Sequence, residues 1–581
     1  MDFNIDFSKL AGLFVFNPDN PLQFGTLTFM FLLALGLLIY HAVYPKQRLR
    51  ASFLLIFSIF IYYKIGGLSL LLLLGVGLVN YLFGYILFKI EDIDKRRYVL
   101  WGMVLVNLFL LGYFKYTNFI FAQIATLQDA DFTALDIILP VGISYYIFKV
   151  LSYLFDIYYE KFEELPRIDD FMLYVTFFGN IQLGPIDRAD EFIPQIKENL
   201  LTSEEGKRIT GLAVFFIASG IIKKMIIADY IYLNFISRVF EDPLRFTGAE
   251  NILAIYSNSI HIYFDFSGYS DMAVGLALLF GYKIIDNFNS PYKATSVAEF
   301  WRRWHISLSR WLLDYLFTPS QMGLRRVGKI GVVILLLVLT LIAIVIFEYI
   351  FRLILVSGVD QSNVSFIFFV IVRYSLIAFF FIVSVNIVSL VYHRFRPIAS
   401  VFPLEFSQVG TSIALLITFM LCGLWHGATW GFILWGTVHG LIMGISILTK
   451  KLRAKGLSKI GVKEGKTVNF IRGFITFNII TFTWIFFRVD TLEKIPMIWT
   501  QISENLHATV FTQFYSGFPG VVILSLIGIF MIFFPEGLKE RFKNFLTTLP
   551  LWAQGLLLGL VIYLASQIMM AEMVPPIYFE F

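Results

Sequence analysis

Apolar runs long enough to cross a bilayer recur along almost the whole chain. They lie near 24–44, 51–65, 67–89, 98–121, 137–159, 208–228, 250–281, 329–356, 365–392, 410–425, 431–449, 468–487, 519–535 and 551–571. A hydrocarbon core needs about 20 apolar residues per helical crossing. Backbone groups in lipid must be satisfied internally, so a chain built from such runs folds as packed helices. The expectation is an all-α, polytopic protein with a single membrane domain over 1–581. Composition agrees: 58% of residues are hydrophobic and only 15% are charged. The net charge of +5 sits in short loops and does not argue for nucleic acid. A lone cysteine, Cys422, excludes an intrachain disulfide or a cysteine-based metal cluster. The N-terminal MDFNIDFSKL has no basic stretch ahead of an apolar run, unlike a cleavable signal peptide.

Loop charge predicts an orientation. Lys46, Arg48 and Arg50 follow the first run, and Lys89, Lys95, Arg96 and Arg97 follow the third; residues 123–136 carry acids and no Lys or Arg. Basic loops face the cytoplasm, which puts the N-terminus outside. The basic stretch Lys450 to Lys466 and the end around His393, Arg394 and Arg396 are cytoplasmic by the same rule. The hairpin over 410–449 then carries its tip, LWHGATWG, toward the outer half of the membrane. Residues 160–207 interrupt the apolar pattern and predict a loop with short helices.

One stretch is too polar to span comfortably and too apolar for water: SVAEFWRRWHISLSRWLLDYLFTP, Ser296 to Pro319. Ser296 with Glu299 three residues on is a capping-box pattern, and Pro319 predicts the end of a single helix. On that helix Trp301, Trp304, Leu308, Trp311 and Tyr315 share one stripe, while Arg303, Ser307, Arg310 and Asp314 share another. Arg310 and Asp314 are spaced to pair. The expected arrangement turns the tryptophans outward and Arg303, His305, Arg310 and Asp314 toward a passage.

Of seven histidines, His41, His261, His393, His439 and His507 read as interfacial or packed. His305 and His426 stand apart. His426 lies at a membrane hairpin tip between Gly423 and Gly427, and ionisable groups inside a membrane are costly. Asp265 and Asp271, in an apolar run, are expensive for the same reason, and arginines such as Arg302 or Arg303 are expected partners. No HExxH or GxSxG pattern is present, so metal and serine-nucleophile readings find no support. A buried histidine suits general-base catalysis, deprotonating an alcohol for attack on an activated acyl carbon. Nearby arginines suit an oxyanion or carrier phosphates. A transporter with buried charges is the alternative class, although no inverted repeat is evident.

Six stretches together resemble the membrane-bound O-acyltransferase family, most closely its bacterial polysaccharide O-acetyltransferases of the alginate type. They are LPVGISYYIFKVLSY (139–153), GPIDRADEFIPQI (184–196), GIIKKMIIADY (220–230), YFDFSGYSDMAVGLALLFGY (263–282), NFNSPYKATSVAEFWRRWHISLSRWLLDY (287–315) and GLWHGATW (423–430). The resemblance implies a helical core pierced by a tunnel. The donor, an acyl thioester such as acetyl-CoA, enters from the cytoplasm, and no cofactor is bound. It implies that His426 is the catalytic base and that His305 is a second important residue. Arg303, Asp314, Tyr315, Asp265, Ser267 and Asp271 would line or brace the tunnel, with Trp301, Arg302, Arg310 and Trp425 from the same motifs. The implied acceptor is a hydroxyl of an exported polysaccharide, or a periplasmic partner of the SGNH-hydrolase kind, alongside polysaccharide synthesis and export proteins in the bacterial inner membrane. A secreted protein or lipid acceptor keeps the same chemistry. The chain departs from the family pattern at FFGNIQLGPI, at LFTPSQMG, and in a longer spacing between the two histidines, where 325–405 reads as an inserted helical pair.

Overall fold

The computed structural model describes residues 12–202, 205–324, 406–459, 461 and 463–568. The inserted pair expected over 325–405, with its runs near 329–356 and 365–392, lies outside the described residues, as does the basic end at His393. The described residues form helices without a named strand; one isolated bridge joins Phe288 to Trp304.

The first helices form an up-and-down layer: α1 (Leu27–Val43), α2 (Gln47–Gly66), α3 (Ser69–Lys89) and α4 (Ile93–Leu127). Caps set two of their starts. The Thr26 hydroxyl accepts the Phe29 N–H at 3.2 Å, and Asp92 accepts the Lys95 N–H at 2.8 Å. With 35 residues, α4 is about 50 Å long, more than a bilayer core requires. Its outer face presents Leu105, Val106 and Phe109, as a lipid-facing helix should. Inside the layer, Asn80 and Asn107 exchange side-chain bonds of 2.8 and 3.0 Å, satisfying two buried amides without water.

Behind this layer lie α5 (Ile143–Tyr158) and α6 (Ile168–Thr176), then α7 (Gly206–Glu241) and α8 (Gly248–Leu279). The run 137–159 was expected to span, but it yields a 16-residue helix buried on nearly all sides. The polar interruption does contain short helices, yet residues 170–189 are buried, wrapped into the core rather than left on the surface. A capping box at Thr247 and Glu250 starts α8, which is enclosed along most of its length. Small residues allow α7 and α8 to touch: a Cβ on Gly220 would lie 2.5 Å from the Gly268 carbonyl.

Eight helices among the described residues are long and apolar enough to cross a membrane: α2, α3, α4, α7, α11 (Phe406–His426), α12 (Trp430–Leu448), Lys466–Arg488 and Leu551–Ile568. The expected run 519–535 is one arm of a pair bent by 104°. Two basic segments lie at one end of the molecule. Arg48 pairs with Asp170 at 3.2 Å, and Arg96 with Glu160 at 2.7 Å, so the loops after α1, α3 and α5 meet there.

Candidate active site

Residues 297–319 do not form one helix. α9 (Val297–Arg303) and α10 (Ile306–Leu312) are separated at Trp304 and His305. The start is as expected in one half: the Ser296 hydroxyl accepts the Glu299 N–H at 3.2 Å. The Glu299 carboxylate turns instead to Thr295, accepting its N–H at 2.9 Å and its hydroxyl at 2.7 Å. The break comes from a distant segment. The Asn287 carbonyl takes the Ile306 N–H at 3.0 Å, its side chain takes the Ser307 N–H at 3.1 Å, and Asn289 donates to the Arg303 carbonyl at 2.9 Å. His305 is left at φ 45° and ψ 55°, a left-handed conformation that costs a non-glycine residue about 1–2 kcal/mol. Such strain is typical of functional sites. Pro319 does not end the helix either. A widened turn over Leu313–Phe317 comes just before it and the helical path continues to Leu324. That turn spans Tyr315, whose carbonyl Pro319 cannot bond.

His426 is the last residue of α11, at the tip of an antiparallel hairpin with α12, as the sequence predicted. Glycines bring the two helices together: a Cβ on Gly423 would lie 2.2 Å from the Phe432 carbonyl, and one on Gly436 would lie 2.1 Å from that of Phe419. The imidazole lies among aromatic rings, 5.0 Å from Trp425, 5.1 Å from Trp435 and 5.4 Å from Phe487.

The two histidines, far apart in sequence, meet the same indole. Trp425 lies 6.2 Å from His305 as well as 5.0 Å from His426. Phe266 of α8 closes the other side of His305 at 4.7 Å. From α5, Tyr145 and Phe148 pack on Trp425 at 5.7 and 5.3 Å. Both histidines are buried, at 0% and 3% exposure, so whatever meets them does so away from bulk water. Neither nitrogen of His305 has a hydrogen-bond partner among the described residues, nor do Tyr145 Oη, Trp425 Nε1 or Ser267 Oγ. Buried polar atoms are almost always bonded. The unbonded atoms of Tyr145, Trp425 and His305 lie together, and such a group of donors and acceptors could receive a polar guest.

The structure distributes the remaining candidates differently from the expected passage. Trp301, Trp304 and Trp311 point into the core rather than outward. Trp301 Nε1 donates to His439 Nδ1 at 3.2 Å, and His439 Nε2 meets Thr483 at 3.1 Å, so His439 is a packed, bonded histidine. Arg302 is exposed. Arg303 pairs with Glu299 at 2.8 Å. The Arg310–Asp314 pair does not form: Arg310 reaches Glu191 at 2.8 Å, and Asp314 reaches Arg188 at 2.6 Å. Asp265 is held by Lys224, which also binds Asp229, and Asp271 by Lys223 and Ser219, so neither uses Arg302 or Arg303. Tyr315 donates to Asp156 at 2.5 Å in a second polar group with Arg188 and Lys161. That group lies at the other end of α5 from Tyr145, roughly 16 Å along the helix. Between the two ends α10 and the widened turn after it pack on α5, Trp311 on Phe148 at 3.9 Å and Tyr315 on Phe155 at 5.2 Å.

Sequence reasoning missed Lys115 and Tyr116 of α4, which bond the backbone at His426. The signal was present: Lys115 is the only charge in the apolar run 98–121.

Comparison with known proteins settles the class. The model of MBOAT, the membrane-bound O-acyltransferase family, matches residues 29–382. The chain belongs to this family. It is 28% identical over 505 residues to the peptidoglycan O-acetyltransferase of Helicobacter pylori, covering 81% of this chain and 78% of that one. It is 30% identical over 454 residues to the probable alginate O-acetylase of Pseudomonas syringae pv. tomato, covering 77% and 68%. A shorter match, 33% over 181 residues, links 30% of this chain to 44% of the teichoic acid D-alanyltransferase of Bacillus subtilis. The protein is therefore a multi-pass membrane O-acyltransferase. As an MBOAT member it falls on the enzyme side of the enzyme–transporter alternative. His426 lies beyond the span of the family model, so its role rests on geometry and on the local motif.

Proposed function

We propose that this enzyme moves an acetyl or other short acyl group from a thioester donor, acetyl-CoA, to a hydroxyl on an exported polysaccharide or to a periplasmic acyl-transfer partner of the SGNH-hydrolase kind. The named relatives act on peptidoglycan, alginate and teichoic acid, which supports a cell-envelope polymer as the acceptor class. The observation that carries the reading is the pair of buried histidines on one indole, ringed by unpartnered polar atoms. In the reaction, His426 takes the proton of the acceptor hydroxyl as its oxygen adds to the thioester carbonyl carbon. The carbon–sulfur bond then breaks, and the sulfur leaves as a thiol with a proton returned to it. His305 positions the thioester or shares proton handling. Trp425, Tyr145 and Phe266 exclude water, which limits hydrolysis of the donor.

Orientation follows from charge. The basic end at Arg48 and Arg96 faces the cytoplasm of a bacterial inner membrane, with the N-terminus outside. Arg188, Lys161 and Tyr315 then lie at the donor's end of α5, and the His426 tip lies toward the outside. The test uses purified protein in proteoliposomes oriented with the basic end inward, with labelled acetyl-CoA either inside or outside and polysaccharide outside. Alkali-labile acetyl ester on the outer polymer, formed only from luminal donor, is the expected result. Ester formed equally from either side, or substrate movement without ester, contradicts the proposal.

A further inference from the structure

The C-terminus of α11 presents an accounting problem. The last four carbonyls of a helix have no intrahelical partner, and inside a membrane there is little water to take their place. In α11 these belong to Gly423, Leu424, Trp425 and His426. The Gly423 carbonyl receives the Gly427 N–H at 3.4 Å. Two neighbouring residues of α4 bond the other three. Tyr116 donates its hydroxyl to the Leu424 carbonyl at 2.9 Å, and Lys115 Nζ donates to those of Trp425 at 2.5 Å and His426 at 3.1 Å. The same ammonium lies 5.9 Å from the centre of the Trp425 ring, the indole that meets both histidines. Further along the same face of α4, Phe119 packs on Trp430 at 5.8 Å, and Gln123 accepts the Trp430 indole N–H at 2.8 Å.

From this we infer that Lys115, with Tyr116, is a positioning residue for the proposed acyl transfer, setting the backbone and indole that aim His426. The inference rests on the reading of His426 as the base. A cation at a helix C-terminus is favoured by the helix dipole, and an ammonium binds carbonyl oxygens more firmly than a neutral donor would. The need for an external clamp is local. Gly427 follows His426 and must lack a Cβ, which would lie 2.2 Å from the Phe432 ring. The peptide after His426 is thus flanked by the most permissive residue type, and the bonds to Lys115 supply the constraint that side-chain bulk cannot. The clamp also couples α4 to the hairpin, two elements separated by some three hundred residues of chain.

The experiment measures acyl transfer per folded enzyme for Lys115→Met, Tyr116→Phe, His426→Ala and the double variant Lys115→Met/His426→Ala. Monodisperse elution in detergent counts folded protein. For Lys115→Met, kcat is expected to fall about a hundredfold, the scale of a small misplacement of a reacting group, with the donor KM unchanged. Tyr116→Phe loses one bond and is expected to lose a few-fold in kcat, again without a change in KM; it carries the test if Lys115→Met fails to fold. On a His426→Ala background, Lys115→Met adds no further loss, because both act through one side chain. Wild-type kcat in the folded single variants, a loss expressed in KM, or a second full loss on the His426→Ala background overturns the positioning role. Wild-type turnover by His426→Ala would instead overturn the base reading, so the two failures are distinguishable.

Discussion

His305 shows what a single backbone angle can reveal. Its φ of 45° places a bulky residue where glycine is at ease, and nothing in local propensity favours that. Replacing it therefore separates strain from chemistry. Both His305→Gly and His305→Ala remove the imidazole and are expected to lose acyl transfer. The glycine variant should nevertheless be more stable than the alanine variant by about 1 kcal/mol, because only alanine keeps the left-handed cost. Thermal unfolding of the two in detergent checks this; equal midpoints would mean that the turn relaxes when the ring is lost. Arg310 offers the contrast. It shared the polar stripe in the sequence, but its pair with Glu191 is about half exposed on both sides. Such pairs contribute about 0–1 kcal/mol, so Arg310→Gln should change stability by no more than that. The two histidines were legible because an ionisable group among apolar residues is expensive wherever it lies. The partners of Arg310, Asp314 and Asp265 were not, because each comes from a segment outside the motif that carries the residue.

Among the elements, the hairpin was the most readable and the polar helix the least. Gly423 and Gly427 around His426 announced close packing, and α11 and α12 do meet over Gly423 and Gly436. Gly436→Ala drives a Cβ into the Phe419 carbonyl, a backbone atom that cannot swing aside. It is expected to cost about 1–3 kcal/mol and to reduce turnover with it. Gly102→Ala on α4, with open space around it, should be neutral or slightly stabilising in the same unfolding assay. The break between α9 and α10 was hidden. The cap at Ser296 and the spacing of the tryptophans both run on as if the helix continued, and only the pairing of Asn287 with Ile306 and Ser307 interrupts it. Non-local hydrogen bonds leave no periodicity to read. The start of α9 carries a pH signature. Burial pushes the Glu299 carboxyl up, but the bonds from Thr295 and Arg303 outweigh it and hold the group below its ordinary value. That contribution is complete above the ordinary carboxyl value and is lost as pH falls through the depressed one. Glu299→Gln should unfold earlier than the unsubstituted protein at neutral pH, and the gap should close in acid. A gap that stays constant into acid would remove the charged cap from the account.

Across the whole molecule, the membrane supplies the logic that local patterns lack. Fold class and crossing helices were legible because apolar length is a direct response to bilayer thickness. Runs such as 137–159 and 250–281 were misleading as simple spans, because a helix enclosed by other helices is as apolar as one facing lipid; α5 and α8 are such enclosed helices. Where α7 meets α8, charge is neutralised near where it lies, as in Lys224 with Asp229 and Asp265. The polar atoms around His305 and Trp425 stand out against that background. In the proposed reaction the proton transfer of O-acylation takes place at His426 in this enclosure. The most direct measurement is ester formation from labelled acetyl-CoA by purified, monodisperse His426→Ala beside the unsubstituted enzyme. Loss of transfer by about 10²–10⁴-fold, the usual contribution of a positioned base, is predicted. Transfer at the unsubstituted rate would contradict it.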